Sequence, residues 1–73
     1  MEVLLDARGL RCPVPLLRAR AALRDVGPAD VLVVLATDRE APIDLGALAA
    51  DAGRACAVTS AGGVWRIELL AEQ

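Results

Sequence analysis

Chemistry in this chain has few places to come from. Histidine is absent, which removes Cys/His nucleophile pairs, Ser/His/Asp triads and His-ligated zinc together. What remains is two cysteines, Cys12 and Cys56. Cys12 opens the run Cys12-Pro13-Val14-Pro15, and two prolines so close together fit only the first turn of a helix, where backbone N–H groups lack intrahelical partners. With Pro13 at the first helical position, Cys12 is expected as the cap. Its sulfur then lies beside the positive end of the helix dipole, with the Val14 and Leu16 N–H groups as the nearest donors. Helix N-termini and nearby cations lower a thiol pKa from about 8.5 to between about 3.5 and 7.5, and Arg8 and Arg11 are close in sequence. The expectation is a thiolate, the form that attacks sulfur; a persulfide on the same atom would be held by the same donors. The residues alone equally admit an inert capped helix start that happens to contain cysteine.

The other polar residues carry less. Cys56 reads as a small core residue on the same side of a strand as Val58. A role as resolving thiol would require its Cα to approach that of Cys12 within about 7 Å. No second cysteine lies within a helical turn of Cys12, which argues against a Cys-X-X-Cys oxidoreductase. Arg8, Arg11, Arg18 and Arg39 form a candidate basic rim for partner proteins, although Arg18 and Arg39 read equally well as solvated charge. Asp38 and Asp44, at a strand end and in a first helical turn, read as caps rather than as an acid–base pair. Gly62-Gly63 lacks the strand-to-helix context of a phosphate loop, and Trp65 reads as core.

The elements that must position Cys12 follow from periodicity. Val3-Leu4-Leu5 is a short strand, and Gly9 relaxes the loop after it. Leu16, Ala19, Leu23 and Val26 mark one side of a helix that ends at Gly27-Pro28. Val31 to Ala36 is apolar and β-branched, as expected of a central strand buried on both faces. Thr37 to Ala41 is a loop. Pro42 suits the first position of a second helix, with Glu40 and Asp44 near its positive end and Leu45, Leu48, Ala49 and Ala52 as its buried stripe. Gly53 fits the left-handed position after that helix. Ala55 to Ser60 and Val64 to Leu70 then flank Ala61-Gly62-Gly63 as a hairpin, with Trp65, Ile67 and Leu69 on one face, and Ala71 to Gln73 are expected to be loose. The order β-α-β-α-β-β with right-handed crossovers gives a two-layer α/β sandwich: a four-stranded mixed sheet with two helices packed on one face.

Composition sets the surroundings. Seventy-three residues allow one domain, 1–73, and no separate cofactor module; no cofactor and no metal is expected. Eight basic against ten acidic residues, and the absence of Tyr and Phe, argue against direct nucleic-acid binding. No run is long enough to span a bilayer, and Met1-Glu2-Val3 lacks a basic leader. With only two cysteines in an aliphatic chain, the expected setting is the reducing cytoplasm.

The motif Asp6-Ala7-Arg8-Gly9-Leu10-Arg11-Cys12-Pro13-Val14-Pro15 resembles the signature of the TusA-like, or SirA-like, sulfur-carrier family: an aspartate and a glycine shortly before a Cys-Pro-X-Pro that opens the first helix. The resemblance covers nearly the whole chain and implies the same β-α-β-α-β-β fold. It implies that Cys12 takes sulfane sulfur as a persulfide from a cysteine desulfurase or rhodanese and relays it to an acceptor protein, in tRNA thiolation, molybdenum-cofactor assembly or sulfur oxidation. Such a protein is a co-substrate more than a turnover enzyme. Gly9, Arg11, Pro13 and Pro15 are the supporting motif, and Arg11 matches the family's Leu-Arg-Cys-Pro wording. Three positions depart from the family's habit. Arg39 replaces a proline after the central strand, Ile43 precedes Asp44 where a polar or basic residue is common, and Arg54 follows Gly53 where many members have histidine. These departures bear on the choice of partner. The alternatives are a binding or regulatory module of the same fold, and a redox sensor pairing Cys12 with Cys56.

Overall fold

In the computed structural model, which describes residues 1–72, the order is β1 (Glu2–Ala7), α1 (Val14–Leu23), β2 (Val31–Ala36), α2 (Ala41–Asp51), β3 (Arg54–Ala61) and β4 (Val64–Glu72). The strands form one mixed sheet in the order β1-β2-β4-β3. β1 runs parallel to β2 in a register that ends with Ala7 beside Ala36; β4 is antiparallel to both of its neighbours. This is the expected two-layer α/β fold, with β2 as an inner strand.

Strand alternation explains the core. Val3, Leu5 and Ala7 of β1, Leu32, Val34 and Ala36 of β2, and Trp65, Ile67 and Leu69 of β4 share the face that packs with Leu16, Ala19, Leu23, Leu45, Leu48 and Ala49 of the helices. Cys56 belongs to the same cluster as a partly buried member, as the sequence suggests. Full burial of Leu32, Leu45, Ile67 and Leu69 contributes about 1.5–3 kcal/mol for each side chain. No helix among the described residues is long and apolar enough to cross a membrane.

Several boundaries differ from expectation, each for a hydrogen-bonding reason. α1 stops at Leu23 rather than Gly27 because the Asp25 and Val26 N–H groups bond three residues back, to Ala22 and Leu23, in tight turns. Val26 is nevertheless buried. α2 begins one residue early, with Glu40 as cap and Pro42 second in the helix. β4 continues through Ala71 to Glu72, whose N–H donates to the Pro28 carbonyl at 2.8 Å, so the chain end expected to be loose is paired as far as Glu72; Gln73 lies outside the described residues. Gly62 and Gly63 both have positive φ, as a two-residue hairpin turn needs.

Arg54 is the one buried charged residue among those described, 6% exposed. Its Nη1 donates to the carbonyls of Asp30 (2.7 Å) and Leu70 (3.1 Å), and its Nη2 to that of Gly27 (2.9 Å). The guanidinium thus gathers the α1–β2 connection and β4 around the start of β3. The departure at this position is therefore structural and lies away from any partner surface at Cys12. Five fixed donors suit this task, and loss of a buried charged donor leaves its acceptors dry. Arg54→Met is expected to lower unfolding stability by about 3 kcal/mol in urea denaturation, while leaving the alkylation rate of Cys12 in the folded protein unchanged.

Candidate functional site

Two parallel strands joined by a right-handed crossover place the helix after each strand at the same end of the sheet. The N-termini of α1 and α2 therefore both sit beyond the Ala7 and Ala36 ends of β1 and β2. Cys12 is exposed in the β1–α1 loop at this end. The loop is fixed from both sides. Gly9, at φ +80, donates its N–H to Thr37 Oγ1 at 2.9 Å across to the β2–α2 loop, and Leu10 N–H bonds back to Ala7. Leu10 packs on the core, and Pro15 is buried in the first turn of α1.

The helix does not cap as the prolines suggest. Val14 N–H donates to the Arg11 carbonyl at 2.8 Å, closing a turn across Cys12 and Pro13, whose peptide bond is cis. Pro13, not Cys12, is the cap residue, and the Cys12 sulfur lies one residue outside the helix. Its partner is Asp44 in the first turn of α2: Sγ–H donates to Asp44 Oδ2 at 3.1 Å. Sγ and one carboxylate oxygen from each of Glu40 and Asp44 lie within 4.8 Å of one another. Asp44 makes no cap bond of its own, so the capping role expected of it is replaced by this one. Asp38 does accept the Glu40 N–H, at 3.3 Å, in keeping with a local turn.

The electrostatic consequence reverses the expected thiolate. The Asp44 carboxylate, partial desolvation and the further negative charges of Glu40 and Asp38 push the Cys12 thiol up to about 11. A negative sulfur beside three carboxylates is disfavoured. Arg8 does not offset them, because its guanidinium is bound to Asp6 at 2.7 and 2.9 Å and holds that carboxyl at about 2. The Asp6–Arg8 interaction is complete above the ordinary aspartate range and fades as pH falls through about 2.

The other expected residues separate. Arg11 and Arg39 line a cavity of about 320 Å³ with Gly9, Leu10, Thr37 and Asp38. Arg18 is exposed one turn into α1. Exposed apolar side chains stand at the same end of the molecule: Val14 and Leu17 of α1, and Ile43, 74% exposed, beside Asp44. Cys56 lies far from this group. It pairs with Leu69, which pairs with Leu32, four residues back along β2 from Ala36; at about 3.3 Å per residue that is about 13 Å from the end of the sheet that carries Cys12. This is beyond disulfide reach, so the redox-sensor pairing of Cys12 with Cys56 is not met. Burial raises the Cys56 thiol.

Glu40, Asp44 and Ile43 were not singled out around the sulfur by sequence alone. The available signal was the i, i+4 spacing of Glu40 and Asp44, which puts both carboxylates on one side of α2. The crossover rule then brings that side to the β1–α1 loop.

Residues 3–70 match the family described as sulfurtransferase TusA. The chain is 51% identical over 49 residues to a provisionally named sulfur carrier protein of Neisseria meningitidis, an alignment covering 67% of this chain and 66% of that protein. It is 45% identical over 49 residues to the sulfur carrier protein TusA of Allochromatium vinosum, covering 67% of this chain and 64% of the relative. The match thus spans slightly under two thirds of each relative's own length. Among solved structures, the SirA-like protein of Desulfitobacterium hafniense superposes with a TM-score of 0.85 at 29% identity, covering all of both chains.

The raised thiol sets the expected pH dependence. Alkylation of Cys12 by iodoacetamide, corrected with Cys12→Ser, should keep accelerating above pH 9 and reach half its limiting rate near pH 11. A plateau below pH 8 would contradict the carboxylate arrangement.

Proposed function

Because this chain belongs to the TusA sulfurtransferase family, we propose that it is a sulfur carrier, a single domain of residues 1–73 in which Cys12 alternates between thiol and persulfide. The observation that carries this reading is the exposed Cys12, in a Cys-Pro-X-Pro segment that the Gly9–Thr37 hydrogen bond and buried Pro15 hold at one end of the sheet. A thiol presented on a braced loop lowers the ordering cost when a partner must align its own sulfur with it.

The transfer is a thiol–persulfide exchange. Cys12 sulfur attacks the outer sulfur of the donor's persulfide, that S–S bond breaks, and the donor cysteine leaves as a thiol once it has taken up the proton from Cys12. Cys12–SH and R–S–SH become Cys12–S–SH and R–SH, with no net oxidation. Handing the sulfur to an acceptor repeats the step in the opposite sense. A cysteine desulfurase or a rhodanese-type protein supplies the sulfur, and a second protein consumes it, in the cytoplasm. The chain is therefore a protein co-substrate. Arg11 and Arg39 at the cavity rim, with exposed Val14, Leu17 and Ile43, supply a mixed polar and apolar surface for those encounters.

The test is intact-mass spectrometry without reductant after incubation with a cysteine desulfurase, cysteine and pyridoxal phosphate. The expected result is a gain of about 32 Da, one sulfur atom, on the wild type but not on Cys12→Ser, reversed by dithiothreitol. No gain from the desulfurase or from a thiosulfate-charged rhodanese, with folded protein whose Cys12 alkylates, would overturn the carrier reading in favour of a binding module.

A further inference from the structure

A carrier thiol has to be reactive towards its donor and quiet towards everything else. The surroundings of Cys12 supply only half of this. Its proton is held on the line to Asp44 Oδ2 at 3.1 Å, and Glu40 brings a second carboxylate within 4.8 Å of the same sulfur. The charged groups facing the sulfur come from two elements. Asp44 and Glu40 belong to the first turn and cap of α2, and Asp38 to the loop before it. On its own loop, Arg8 is bound to Asp6, and Arg11 lies beside Arg39 around the cavity on the Thr37 side. The sulfur therefore faces negative charge, and nothing within the described residues neutralises it. Reaction requires a positive charge from outside.

We propose that Asp44 is a positioning residue that keeps Cys12 protonated and turned towards α2 at rest, and that a lysine or arginine of the sulfur donor, seated against Asp44, Glu40 and Asp38, releases the sulfur to react. The inference rests on the carrier reading for its second half only. A cation docked there lowers the cost of a negative sulfur by the same Coulomb term that the carboxylates raise. It also pairs with carboxylates that are otherwise repelling the donor's persulfide anion. The proton that leaves Cys12 ends on the donor cysteine, so the exchange stays balanced.

Two arms test this with wild type, Asp44→Asn, Asp44→Glu and Cys12→Ser. Iodoacetamide is neutral and brings no cation. At pH 8, loss of the carboxylate in Asp44→Asn raises the thiolate fraction by as much as about a hundredfold, while the lower thiol pKa reduces intrinsic nucleophilicity by up to about tenfold. Alkylation is expected to be about threefold to tenfold faster than wild type. The pH profile should move downward, and Asp44→Glu should restore the wild-type profile, which a merely structural role for Asp44 would not predict. An unchanged profile in folded Asp44→Asn, verified by circular dichroism, overturns the proposal.

The second arm is sulfur transfer from the charged desulfurase. Here Asp44→Asn is expected to be no faster than wild type, because the donor already supplies the relief. Wild-type transfer should slow as salt rises from 50 to 300 mM, since the docking is ionic. Acceleration of Asp44→Asn by the same factor in both arms overturns donor relief. A protein that gains no sulfur from any donor, yet still alkylates faster as Asp44→Asn, overturns the carrier reading and donor relief but leaves the proton-holding role of Asp44 standing.

Discussion

The parallel pairing of β1 with β2 is the constraint from which the rest of the molecule follows. Parallel strands cannot be joined by a tight turn, so a helix must cross between them, and the handedness of that crossover fixes the face on which it lies. The second crossover, from β2 through α2 to β3, joins another parallel pair, since β4 between them is antiparallel to both. Both helices consequently start at one end of the sheet, and the loops feeding them must lie side by side. The bond from Gly9 to Thr37 joins those loops directly. The sulfur of Cys12 faces Asp44 because of topology, not because the two are near in sequence.

That arrangement gives the thiol a character unlike that of redox-active cysteines. A cysteine at a helix N-terminus beside cations is acidic and attacks readily. Cys12 has the opposite surroundings, with carboxylates of α2 on one side and the turn from Arg11 to Val14 on the other. An exposed thiol with a raised pKa is slow towards oxidants and adventitious electrophiles, whose rates follow the thiolate fraction. Accessibility and reactivity, commonly linked, are here separated.

The fold was legible because each element left a local signal. The β-branched run Val31–Ala36, the stripes containing Ala19 and Leu45, and Gly62-Gly63 between two strand patterns all point to the observed architecture. Cys12 was legible as the candidate residue through its prolines, but its electrostatics were not. Pro13 followed by Val14 reads as a helix start at Pro13, yet one extra residue in the turn moves the sulfur out of the helix axis and away from its dipole. Asp44 illustrates the same limit. A first-turn aspartate reads as a cap from its own helix, and only the neighbouring β1–α1 loop reveals that a thiol occupies its oxygen. Arg54, likewise, reads as a departure bearing on partner choice until carbonyls of the α1–β2 connection and of β4 converge on it.

The burial of Arg54 also divides the molecule into two ends with different freedoms. At the end where β3 begins, a buried guanidinium ties Gly27, Asp30 and Leu70 together. That knot keeps the sheet and α1 joined independently of what happens beyond Ala36. The residues of the β2–α2 loop and the start of α2 are relieved of that duty, and Arg39 in the loop and Ile43 in the first turn of α2 are exposed. The face around the sulfur can therefore vary one side chain at a time while the scaffold's cohesion is secured at the opposite pole.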